Sequence, residues 1–174
     1  TVSGVGIITA PHIKTGGTNN NTALGNNALQ VVYTSTGSSN IAVGDYVLDA
    51  NTTGSYNTGI GYAALTNQTT GSSNVAVGSG ALDANTTADN NTAVGRNALG
   101  ANTTGATNTS VGANTLDANT TGASNTALGY AALGANTTAS YNVAVGYAAL
   151  YDNTTGADNT AVGRDALANN TTAS

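Results

Sequence analysis

The sequence predicts an all-β fold, a β-solenoid or β-roll of about nine stacked coils, and three observations predict it. A unit of 17 residues recurs from Asn40 to the end of the chain. Within each unit, Gly, β-branched and aliphatic residues fall in fixed columns. Charged residues make up only 6% of the chain, against about 25% in an ordinary domain. A fixed period of this kind marks a chain in which each unit must stack on its neighbours to bury its apolar side.

With Asn at position 1 and Gly at position 5, units begin at Asn21, Asn40, Asn57, Asn74, Asn91, Asn108, Asn125, Asn142 and Asn159. The first step is 19 residues, with two extra residues around "QVVYT". Position 2 is β-branched, as in Thr92 and Val75. Position 3 is small, position 4 is aliphatic and position 9 is Leu throughout. Asn-Thr-Thr fills positions 12 to 14 in most units, with Gln68 replacing the Asn in one and Thr34-Ser35-Thr36 standing there in the first. The chain therefore divides into a non-repeat segment, residues 1–20, expected as a cap or junction, and a solenoid domain, residues 21–174. The start at Thr1, without Met, reads as a processed product or fragment.

Frequent Gly, Asn, Thr and Val disfavour helix. "NTAVG", Asn91 to Gly95, alternates at period 2 between Asn and Gly and reads as a short strand. "ALGANTT" is expected as a second extended side, with residues 105–107 turning the corner. Coils spaced ~4.8 Å apart give a rod roughly 43 Å long. Identical positions then stack: Leu82, Leu99 and Leu116 inside; Asn85, Asn102 and Asn119 as an amide ladder; Gly78, Gly95 and Gly112 at a corner. Positions 4 and 9 are expected to form the interior. The small column at position 3 is expected to face the other way, against another wall or chain.

Several functions are excluded by composition. A net charge of −5 opposes phosphate-backbone binding. With no Cys and one His, His12, neither a disulfide framework nor a His or thiolate metal site is available, and no cofactor is expected. No apolar run approaches the ~20 residues of a membrane-spanning helix, so no membrane insertion is expected. No base lies near a candidate nucleophile, so no enzyme is expected. Asp49, Asp83 and Asp117 share position 10 in alternate units, a spacing that keeps like charges apart on a solvated face. Arg96 and Arg164 share position 6 and can pair with neighbouring Asp. The surface-binding candidates are Tyr62, Tyr130 and Tyr147 at position 6, with Tyr141 and Tyr151 beside them. A tyrosine offers a flat apolar face and a hydroxyl, which suits sugar or protein contact, although stacked rings also simply cover a corner.

"NNTAVGRNALGANTTG" and "NTALGYAALGANTTASYNVAVGYAALYDNTTG" resemble repeats of bacteriophage tail-fibre and tail-spike proteins. The "N-x-A-[VIL]-G" core is similar to the head repeats of trimeric autotransporter adhesins. The resemblance covers residues 18–174. It implies a left-handed, homotrimeric β-roll that attaches to a host-cell surface through a glycan or protein receptor. It also implies an extracellular location, on a virion tail fibre or a cell surface. The adhesin repeat is shorter than 17 residues, so the homotrimer is implied but its detailed geometry does not transfer.

Self-association has a second form, an end-to-end filament or matrix protein, because end coils expose strand edges. Ice binding by Thr arrays is a minor alternative. It needs Thr at i and i+2 on one face, whereas the paired Thr here are adjacent. The Asn-Thr-Thr sequons are read as ladder positions, not as glycosylation sites.

Overall fold

A computed structural model of the chain describes residues 13–15, 19–30 and 37–174. His12 and Thr34-Ser35-Thr36 lie outside the described residues. Ten three-residue strands form one sheet in chain order. They are β1 (Ile13–Thr15), β2 (Thr22–Leu24), β3 (Ile41–Val43), β4 (Thr58–Ile60), β5 (Val75–Val77), β6 (Thr92–Val94), β7 (Thr109–Val111), β8 (Thr126–Leu128), β9 (Val143–Val145) and β10 (Thr160–Val162). From β2 to β10 every pairing is parallel and follows the 17-residue frame: Thr92 lies opposite Thr109, Ala93 opposite Ser110, Val94 opposite Val111. The fold is a β-solenoid of nine parallel strands, and β1 covers the first edge by pairing antiparallel with β2.

Two expectations about the coil are corrected. The position-3 column points inward, with Ala42, Ala76, Ala93, Ala127 and Ala144 fully buried. The position-4 column points outward: Leu24 is 43% exposed, Ile60 40% and Leu128 47%. Alternation puts positions 1 and 3 on one face and 2 and 4 on the other. Space decides which face is inside. The core is filled by Leu at position 9 packed on small residues at positions 3 and 8, such as Leu99, Ala93 and Ala98, and leaves no room for a second large column.

"ALGANTT" is also not a strand. It runs through successive turns, with Leu99 at φ 53° and Asn97, just before the stretch, at φ 55°. A left-handed conformation costs an L-residue roughly 1–2 kcal/mol. Burying a leucine contributes about 1.5–3 kcal/mol, so the inward Leu holds the turn. The turns are still bonded from coil to coil: Leu99 N donates to Thr115 O (3.0 Å) and Ala101 N to Asp117 O (3.1 Å). At the corner, Gly95 sits at φ 139°, and a Cβ there would overlap the Gly112 carbonyl.

Two columns of asparagines, fully buried from Asn40 to Asn153 and interrupted only by Gln68 there, close the coils. At position 1, Asn91 accepts on Oδ1 from Asn108 N (2.9 Å) and donates through Nδ2 to Gly105 O (2.9 Å). At position 12, Asn102 donates to the same Gly105 carbonyl (2.9 Å) and to Asn85 Oδ1 (3.1 Å), and Asn119 donates to Asn102 Oδ1 (2.9 Å). A buried amide must find partners for both ends, and the 17-residue repeat supplies them.

Gln68 breaks the position-12 ladder. Its Oε1 accepts from Asn85, but its Nε2 and the Asn51 Oδ1 it should serve are both buried without a partner. A buried unpaired polar group costs about 1–3 kcal/mol. Gln68→Asn is therefore expected to raise stability by about that amount, read as a higher thermal midpoint. An unchanged or lower midpoint would contradict the ladder account.

The core also shows size compensation between coils. Val47 stands at position 8 where most coils have Ala, and Gly59 stands at position 3 in the next coil. A Cβ on Gly59 would collide with Val47 Cγ1. Gly59→Ala is expected to cost about 1–3 kcal/mol. Adding Val47→Ala should recover much of it, and denaturant melts of the double-mutant cycle measure that coupling.

Candidate functional site

The polypeptide turns that follow each corner Gly carry three outer columns. Position 7 forms a floor, and positions 6 and 10 form two walls. Between them lies a hollow of about 380 Å³, walled by Tyr130 and Tyr147 on one side and Asp117 and Tyr151 on the other, over Asn114, Ala131 and Ala148. A second hollow of about 260 Å³ holds Asp83, Asn97 and the same Asp117, with Gly80 and Gly100. Asp117 lines both, so the two hollows adjoin along the rod and are taken together as a groove.

The tyrosines are ordered by the coil spacing. Tyr130 and Tyr147 stack with centroids 5.4 Å apart and planes 14° from parallel. The Arg164 guanidinium lies 5.5 Å from the Tyr147 ring centre. Tyr151 lies down over Gly134: a Cβ on that glycine would come within 2.7 Å of its ring. The structure thus brings Tyr130, Tyr147 and Tyr151 together. Tyr62 pairs instead with Tyr46, edge to face at 5.8 Å. Tyr141 stands alone at position 17 on a left-handed backbone, 64% exposed. Asn114, Gly134 and Tyr46 were missed by the sequence reading. The signal for the groove was present as small residues at positions 7 and 10 beside the position-6 rings.

Electrostatics single out two carboxylates. Burial pushes Asp83 above the ordinary value of 3.8, with the Thr66 hydroxyl partly opposing. Burial likewise raises Asp117, opposed by backbone N–H groups at Asp117 and Ala118 and by Arg96. Other aspartates serve the frame: Asp45 accepts from Asn26 N (2.8 Å), Asp89 accepts from Ser72 N, and Asp165 pairs with Arg164 (3.1 Å) on the open surface. Among the described residues no group of three or more His, Cys, Asp or Glu is placed to hold a metal.

The Asn-Thr-Thr column offers little to a modifying enzyme. Asn85, Asn102 and Asn119 are fully buried and hydrogen-bonded. The Thr103 hydroxyl donates to Thr120 O (3.0 Å) in the next coil. No α-helix occurs among the described residues, and none is long and apolar enough to cross a membrane.

Fold and surface together define a β-solenoid repeat protein with a tyrosine-lined acidic groove. No family model, curated protein or solved structure matches the chain.

The two raised carboxyls give a pH dependence of definite sign. Between 3.8 and its raised folded value, each binds its proton more tightly folded than unfolded. Their contribution to stability therefore grows as pH falls through that window and is lost as pH rises above it. The difference between wild type and Asp83→Asn/Asp117→Asn should follow this trend in thermal melts from about pH 7 to pH 3. A wild-type midpoint that falls relative to the variant on acidification to pH 4 would refute it.

Proposed function

We propose that this chain is a non-enzymatic segment of a homotrimeric attachment fibre, an extracellular rod on a virion tail or cell surface. The observation that carries the reading is the outer face of the sheet. Position 4 is aliphatic in every coil from β2 to β10, flanked at position 2 by Thr, Ile or Val, and Leu24, Ile41, Ile60, Val75 and Leu128 are each at least 36% exposed. A contiguous exposed apolar patch marks an interaction surface. Its rungs repeat with the ~4.8 Å strand spacing, and the partner that carries the same rungs is another copy of this chain. The thin core of Leu and Ala supports the same reading, since a single coil buries little. Three copies follow from the resemblance of the repeats to phage fibres and adhesin heads.

Sedimentation equilibrium of the chain should give three times its mass, with resistance to heat and detergent. Val77→Lys/Val111→Lys places charges on that face in alternate coils. It should yield monomers that keep the β-rich circular dichroism spectrum, because both side chains lie half-exposed on the outer face of the sheet in one chain. A monomeric wild type would overturn the proposal. Long filaments in electron microscopy would transfer it to the end-to-end alternative. Thr and aliphatic residues two apart on this flat face also give ice binding a geometry that the Asn-Thr-Thr column lacks, and thermal hysteresis would expose that activity.

A further inference from the structure

The groove between positions 6 and 10 lies on columns that the sheet face does not use. It runs from Asp83 to Tyr151, four coil steps, or about 19 Å at the strand spacing. We propose that this groove binds a neutral oligosaccharide, with Tyr130 as the stacking platform and Asp117 as the hydroxyl acceptor. The inference deepens the attachment reading and rests on it for its biological sense.

Three features favour a sugar chain. The first is the platform. One face of Tyr130 is taken by Tyr147, and Tyr147 in turn lies against Arg164. One coil earlier in the same column stands Ala113, whose methyl leaves the other side of Tyr130 open. A pyranose presents a C–H face that packs on such a ring, while the ring's edge hydroxyl stays in water.

The second is the polar set beside that opening. Asn114 and Asp117 belong to the Ala113 coil and line the hollow. A carboxylate accepts from two hydroxyls, and an amide both donates and accepts. Vicinal sugar hydroxyls satisfy both. Half of the set recurs in each of the two preceding coils: Asn97 with Gly100 one coil back, and Asp83 with Gly80 two coils back. The spacing of these groups follows the coil, which is close to the length of one pyranose residue in an extended chain.

The third is what the groove lacks. Neither hollow is lined by Lys or Arg; Arg96, in the position-6 wall, offsets one of the two carboxylates, so no excess positive charge is present to draw sulfated, phosphorylated or uronic glycans. Its floor combines Asn114 with the small Ala131 and Ala148. Gly134 is essential to the shape, because Tyr151 can lie flat only where no Cβ intervenes.

The test is titration of the full chain with tetrasaccharides of maltose, cellulose, mannan and chitin type, followed by tyrosine emission and calorimetry. The counter-probes are a sulfated tetrasaccharide and tetralysine. At least one neutral tetrasaccharide should bind saturably. Tyr130→Ala and Asp117→Asn should each weaken it at least about tenfold. Gly134→Ala, which alters no polar group, should weaken it by displacing Tyr151. Tyr56→Ala, on an exposed position-17 ring away from the groove, should leave affinity unchanged. The proposal is overturned by saturation with none of the neutral probes, by binding that survives Tyr130→Ala, or by stronger binding of tetralysine or the sulfated probe. Sedimentation on the same samples keeps the two readings separate: a trimer that binds no sugar sinks this inference alone, and a monomer that binds sugar sinks the trimer alone.

Discussion

The constraint on which the structure depends is that each coil must satisfy its buried amides through the coil next to it. Asn91 and Asn102 converge on one carbonyl, Gly105 O, and so pin the coil closed across its narrow dimension. Each also bonds to its column neighbours. A buried amide without partners is costly, so the column is stable only when filled at every level. This is why Gln68, longer by one methylene, leaves two orphaned atoms even though its chemistry is the same.

From that constraint the rest of the coil follows. Two inward asparagines, one inward Leu and two small residues fill the cross-section. Large side chains are therefore forced outward at positions 2, 4, 6 and 10, and the surface becomes the place where the coils differ. Gln68 apart, variation among the described inward residues occurs as matched pairs. Val47 is accommodated by Gly59, and the hydroxyl of Ser110 is accommodated by Thr115, to which it donates at 2.7 Å. Surface variation is freer, and it is there that rings, carboxylates and glycines combine into a groove.

The two exposed regions have different chemistry. The sheet face is a uniform array of β-branched and aliphatic rungs, suited to a partner with the same repeat. The groove is irregular, polar and confined to the coils between Asp83 and Tyr151. Were the rod to associate through one face and recognise a ligand through the other, as proposed, it would need no moving part. The hydrogen bonds that run around the whole coil, not only through the sheet, keep both surfaces in register.

The sequence by itself determined the period, the parallel stacking, the Leu and Asn ladders and the corner glycine, because each is a statement about which residues recur. It also pointed to the position-6 tyrosines. It did not determine which side of the strand is inside. Position 4 is more apolar than position 3, and apolarity alone favoured the wrong column. Only the tertiary structure showed that the coil is too thin for Val94 and wide enough for Ala93. It likewise showed that "ALGANTT" turns instead of extending, because the buried Leu99 outweighs the cost of its left-handed backbone. The groove too belongs to the tertiary structure, since Asp117, Tyr130 and Tyr151 lie in three different coils and meet only when those coils stack.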